Sequence, residues 1–133
     1  MTQNYIRCEQ VVAWEQEKEG KEGYAVKYPD GYISWSPKAD FELAYHPQGH
    51  DPTRITEQMV DDFIVDFDVT TSHDKITIVI ATLKSGFTIV ESSACVDPAN
   101  YDEAIGVKLC KERIKNQVWN QLGFILQWAR GVL

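Results

Sequence analysis

The side chains best suited to chemistry cluster near the C-terminus. Set at 100° per residue, Lys108, Lys115 and Trp119 fall close together on one flank of a helix, with Lys111 at its edge. Ammonium groups meet phosphate and an indole ring stacks on a base, so this grouping suits a nucleotide-like ligand. A solvated helix flank with a half-buried tryptophan has the same pattern. Arg113 and Asn116 lie on the other side of that helix. Within one subunit they join the lysine flank only if a ligand wraps the helix; with a dimer partner, Arg113 would sit near an intersubunit cleft.

Catalytic signals are poor. The chain has no Gly-x-Ser-x-Gly, no glycine-rich phosphate loop and no His-Glu-x-x-His. Asp66 and Asp68 share one face of a strand and could serve a metal-bound hydrolytic centre, or simply face solvent. His46 and His50 stand four apart with Asp51 adjacent, but Pro47, Gly49 and Pro52 break any helix that would align them. No metal, cofactor or catalytic residue is expected, and the chain reads as a binding protein rather than an enzyme. Cys8, Cys95 and Cys110 are odd in number and widely spaced, which fits a reducing compartment. Cys95 and Cys110 sit in apolar surroundings, where inert buried thiols are the rule.

At 133 residues the chain can bury a real core without metals or disulfides. A net charge of -7 argues against duplex nucleic acid, which needs a basic footprint. Met1 to Gln10 carries no signal pattern, and the apolar runs fall short of the ~20 residues that cross a membrane. A cytoplasmic location follows.

The elements that must position these groups are α+β. A strand-like stretch spans residues 5–15, and the charged run Glu15 to Glu22 makes a hairpin tip or loop. Two aromatic segments flank Pro29-Asp30-Gly31, a strong hairpin signal. Ser36 as cap and Pro37 at the first position open a short helix to about Tyr45. These form an N-terminal hairpin and short-helix module, residues 1–50, and His46 to Pro52 is the clearest linker. Residues 51–133 form the core domain, or continue a single domain. Thr56 caps a short helix carrying Met59, Val60 and Phe63, followed by strands over 64–71, 75–83 and 87–94 with tight turns, an antiparallel meander. Ile76 to Ala81 is so apolar that both its faces should be covered. Asn100 is expected to cap a long C-terminal helix whose stripe, Val107, Cys110, Ile114, Val118, Leu122 and Ile125, lies across the sheet. Gly123 is a place where that helix can bend or stop. Ile105, Leu109 and Phe124 lie off the stripe and suit a dimer partner.

Several stretches carry a resemblance: Lys84 to Val90, Ser92-Ser93-Ala94-Cys95-Val96-Asp97-Pro98-Ala99-Asn100-Tyr101-Asp102, Lys115 to Trp119, and Leu122-Gly123-Phe124. Over residues 55–128 the chain resembles a family of small phage and prophage proteins typified by a short protein of phages N4 and Sf6. It looks like the family that includes the type 1 Thoeris anti-defence proteins. Those are sponges that sequester the cyclic ADP-ribose signal of Thoeris immunity, some also holding cyclic oligonucleotides of CBASS immunity, without cleaving them. Gly23 to Pro37 and Phe41 to Tyr45 also resemble a short module found at the start of other small phage proteins.

The resemblance implies homo-oligomers built from dimers, with the signal bound near the interface by aromatic and arginine groups. It carries Phe87, Asn100 and Trp119 over from within the matched motifs, and Arg113 from a less characteristic stretch. Each has a plainer role: sheet core for Phe87, a helix cap for Asn100, helix-to-sheet packing for Trp119. The ligand-binding set is then Phe87, Asn100, Lys108, Arg113, Lys115, Asn116 and Trp119. The expected function is capture of a cyclic nucleotide signal in the host cytoplasm. The alternative is a phage accessory protein or protein–protein inhibitor whose acidic surface engages a basic host factor.

Overall fold

The structure, a computed structural model, describes residues 1–131. It is α+β and divides into two compact units, one of residues 1–54 together with the helix end from Phe124, the other Ile55–Gly123.

The first unit is a three-stranded antiparallel sheet of β1 (Val12–Glu15), β2 (Gly23–Lys27) and β3 (Ile33–Pro37), followed by the short helix α1 (Lys38–Ala44). The charged run closes the β1–β2 hairpin: Lys18 and Lys21 pair across Glu19 and Gly20, both at positive φ. The Pro-Asp-Gly turn closes the second hairpin, with Gly31 at φ 90° and Asp30 Oδ1 accepting from the Tyr32 amide at 3.0 Å. Trp14, Ala25 and Trp35 stand side by side in register. The Trp35 indole lies where a Cβ on Gly23 would fall, and it donates to the Gln16 carbonyl at 2.8 Å. Tyr24, Phe41 and Tyr45 stack in turn on the α1 side, with centroids 4.3 and 4.9 Å apart.

Two expectations shift here. The first strand begins only at Val12, and residues 1–11 form no regular element. The helix α1 begins one residue late: Ser36 still pairs with Tyr24 in the sheet, so Pro37 becomes the cap, with no side-chain bond to the helix.

The second unit holds α2 (Glu57–Phe63), the meander β4 (Ile64–Ser72), β5 (Ile76–Leu83) and β6 (Thr88–Ala94), and the long helix α3 (Glu103–Arg130), whose last residues belong to the first unit. Thr56 caps α2 as expected, its hydroxyl accepting from the Met59 amide. His73 and Asp74, both left-handed, make the β4–β5 turn. The core joins Val60 and Phe63 of α2, Val79, Ala81 and Leu83 of β5, Ile89 of β6, and Cys110, Ile114, Val118 and Leu122 of α3. Gly106 extends the buried ridge of α3 by one more step of four. Val107 is only half-buried and Ile125 exposed, because a ridge with four-residue spacing winds slowly around the helix and turns both ends of the expected stripe away. Gly123 does not end α3, which runs on to Arg130.

β5 is central, but only one of its faces is covered. Thr77, Val79, Ala81 and Leu83 are buried, while Ile76, Ile78 and Thr82 are half-buried and Ile80 is exposed. Ile80 has Asp68 on one side and exposed Val90 on the other. The expectation of two covered faces fails because α3 is a single layer and the sheet's other face meets solvent.

Candidate functional site

α3 offers two flanks to the sheet. On the β4 and α2 side, Lys115 donates to Asp61 of α2 at 2.8 Å, and that bond holds its ammonium pKa above the usual lysine value. Lys111 sits over the Phe67 ring of β4, 4.6 Å from its centroid. Trp119, one turn beyond Lys115, is 43% exposed, and Lys108 is exposed. On this flank Asp61 already neutralises Lys115.

On the β6 side, Arg113 Nη1 donates to the Ser92 carbonyl at 2.9 Å and Gln117 donates to Glu91 at 2.8 Å. Arg113 thus occupies a backbone acceptor of the edge strand β6. Asn116 is exposed, on the side of α3 opposite the Ile114 ridge.

Phe87 lies in the β5–β6 turn, before β6, and is 61% exposed, so it is no part of the sheet core. Its amide is 3.4 Å from Ser85 Oγ and its carbonyl accepts from Leu83. Asn100 follows β6 and ends a short 3-10 turn, Pro98–Asn100. Phe87 lies beside Leu83 at one end of β5, whereas Tyr101, next to Asn100, reaches Thr77 near the other end, so Phe87 and Asn100 stand toward opposite ends of the sheet. Asn100 does not cap α3. Asp97 caps the 3-10 turn through the Ala99 amide, and Asp102 caps α3 by accepting from the Ala104 amide at 3.0 Å. The extra turn displaces the helix start by two residues, which a scan for the nearest Asn, Asp or Ser does not foresee.

Next to Asn100, Tyr101 bridges two strands. Its hydroxyl lies 2.8 Å from both Thr71 Oγ1 and Thr77 Oγ1, and Thr71 also donates to Glu103. Thr77 is a buried polar side chain of this core, and the Tyr101 bond satisfies it. Cys110 is buried, and burial pushes its thiol pKa up. Cys95 is half-buried, its Sγ 3.2 Å from the Asp97 carbonyl.

Sequence reasoning did not single out the first unit as a site. There a concavity of about 630 Å³, open to solvent, is lined by Arg7, Glu9, Tyr28, Asp30, Tyr32 and Ser34, with Pro29 on its rim. The turn signal at Pro29 to Gly31 marked the hairpin, but Arg7 and Glu9 come from the irregular start of the chain and carried no signal. Among the described residues no group of three His, Cys, Asp or Glu side chains is placed to hold a metal, and no helix is long and apolar enough to cross a membrane.

Neither a curated protein nor a solved structure matches the chain. A family model does, over residues 55–129, a span that takes in the α2–meander–α3 unit and more than half of the chain. The chain belongs to the Phage protein (N4 Gp49/phage Sf6 gene 66) family.

Proposed function

We propose that this phage protein captures a cyclic nucleotide signal of host immunity, a cyclic ADP-ribose isomer or a cyclic oligonucleotide, and holds it uncleaved in the host cytoplasm. The observation that carries the reading is the separation of Phe87 from Asn100 across the sheet. In one copy these groups face opposite ends of the sheet. A two-fold pairing with the copies antiparallel sets the Phe87 end of one against the Asn100 end of the other, and does so twice. Ile105 and Leu109, exposed on the outer side of α3, offer apolar surface for such a contact. Trp119 and Phe87 supply rings for bases, and Arg113 and Lys108 supply charge for phosphates.

Capture needs tight, reversible binding and no bond chemistry, so the groups required are stackers and cations rather than a nucleophile and its base. Calorimetry with cyclic ADP-ribose isomers and cyclic trinucleotides, followed by heat release, tests it. Stoichiometric binding and recovery of unaltered ligand are expected. Recovery of an opened ligand, or no binding across the panel, overturns the reading.

A further inference from the structure

We propose that the concavity of the first unit is a docking site for an arginine side chain carried on an extended segment of a partner protein. This does not rest on nucleotide capture, because every residue involved lies within residues 1–54. The walls are aromatic: the rings of Tyr28 and Tyr32 lie 6.1 Å apart between centroids and within 21° of parallel. The floor is polar, with the Ser34 hydroxyl donating to Tyr28 Oη at 3.2 Å. Glu9 anchors one side, accepting from the Tyr45 hydroxyl at 2.6 Å.

Charge selects the occupant. Glu9 and Asp30 oppose a single guanidinium, and Arg7 Nη2 lies 3.6 Å from Glu9 Oε2, so Arg7 is engaged with Glu9. Asp30 then leaves the lining net negative beside the exposed Tyr32 ring. A phosphate meets repulsion here, whereas a cation gains from both the carboxylate and the tyrosine faces. The flat guanidinium stacks on such rings and pairs with a carboxylate through two N–H groups, which a lysine ammonium does not do. The site is shallow and open, so it suits a side chain reaching in from a polypeptide lying across it better than an engulfed small molecule. The chain's net charge of -7 favours approach of such a basic segment.

The test is calorimetry of the full chain with a blocked pentapeptide, one arginine between prolines, and with the same peptide carrying uncharged citrulline. Saturable binding of the arginine peptide is expected, at least tenfold weaker for the citrulline peptide, for Asp30→Asn and for Tyr32→Ala, and unchanged in Lys84→Gln. Asparagine keeps the Oδ1 acceptor of the turn, so Asp30→Asn removes charge without removing the turn's bond, and melting curves check both variants for folding. Equal affinity for the two peptides, no loss in Asp30→Asn and Tyr32→Ala, or no binding at all overturns the proposal. So does adenosine monophosphate binding that Arg7→Gln abolishes, because the site would then be one for phosphate.

Discussion

Gly106 of α3 rests directly against Thr77 of β5: a Cβ built on the glycine would sit 2.8 Å from the Thr77 Cβ and closer still to its hydroxyl oxygen. The helix backbone meets the sheet closely here, beside the Tyr101 hydroxyl that joins Thr71 and Thr77. Glycine at this point sets the height at which the whole ridge from Cys110 to Leu122 meets the sheet.

Gly106→Ala is therefore expected to lower stability by about 1–2 kcal/mol, as overpacking does. This holds even though alanine is the better helix former by about 1 kcal/mol. Urea unfolding checks it. Adding Thr77→Ala should recover part of the loss, since the two changes act on one contact. A Gly106→Ala chain more stable than the parent contradicts the close packing.

Ile114→Ala should cost about 2–5 kcal/mol, because Ile114 is fully buried at the centre of the ridge and its removal leaves a cavity. Asn116→Ala, two residues on and exposed, should change stability by less than about 0.5 kcal/mol. Parallel urea melts separate the two.

The Lys115–Asp61 pair is a contact between side chains that are 43% and 41% exposed, so it contributes at most about 1 kcal/mol to stability. Its effect on binding should be larger than its effect on folding. Asp61→Asn releases the ammonium from its partner and removes a negative charge from the flank, so affinity for a phosphate-bearing cyclic nucleotide is expected to rise several-fold. Calorimetry with cyclic ADP-ribose on both chains measures this, and unchanged or weaker binding removes Lys115 from the ligand set.

Tyr45 should keep its phenolic proton to well above the ordinary tyrosine value. Burial, and then its hydrogen bond to Glu9, push its phenol from the ordinary 10.0 up to about 12. The folded state holds this proton more tightly than the unfolded chain does. Its contribution to stability is therefore complete below pH 10 and is lost as pH rises through about 12. Absorbance at the tyrosinate band should show one late step, absent in Tyr45→Phe.

Much of the fold was legible because local chemistry and burial agree. Pro29-Asp30-Gly31, the Thr56 cap and the apolar ridge of α3 each point to one structure and to nothing else. The departures come where neighbouring elements compete for the same residues. Ser36 is a good helix cap, but Tyr24 holds it in the sheet. Asn100 is a good cap too, but Pro98 starts a 3-10 turn that uses it up and leaves Asp102 to open α3. The run Ile76 to Ala81 is apolar enough for two covered faces, yet sequence does not count the layers available to cover them.

For the candidate site, helical periodicity sets Lys108, Lys115 and Trp119 on one flank and Arg113 on another. It could not show that Asp61 on another helix neutralises Lys115, or that Arg113 reaches Ser92. The concavity of the first unit draws on residues more than twenty positions apart, and no motif links Arg7 to Tyr32.

Native mass spectrometry of the protein mixed with cyclic ADP-ribose isomers bears most directly on capture of an intact signal by paired copies. The expected spectrum shows an even-numbered oligomer carrying ligand of unchanged mass, lost together in Phe87→Ala. A ligand-free monomer, or a bound species shifted by the mass of one water, contradicts it.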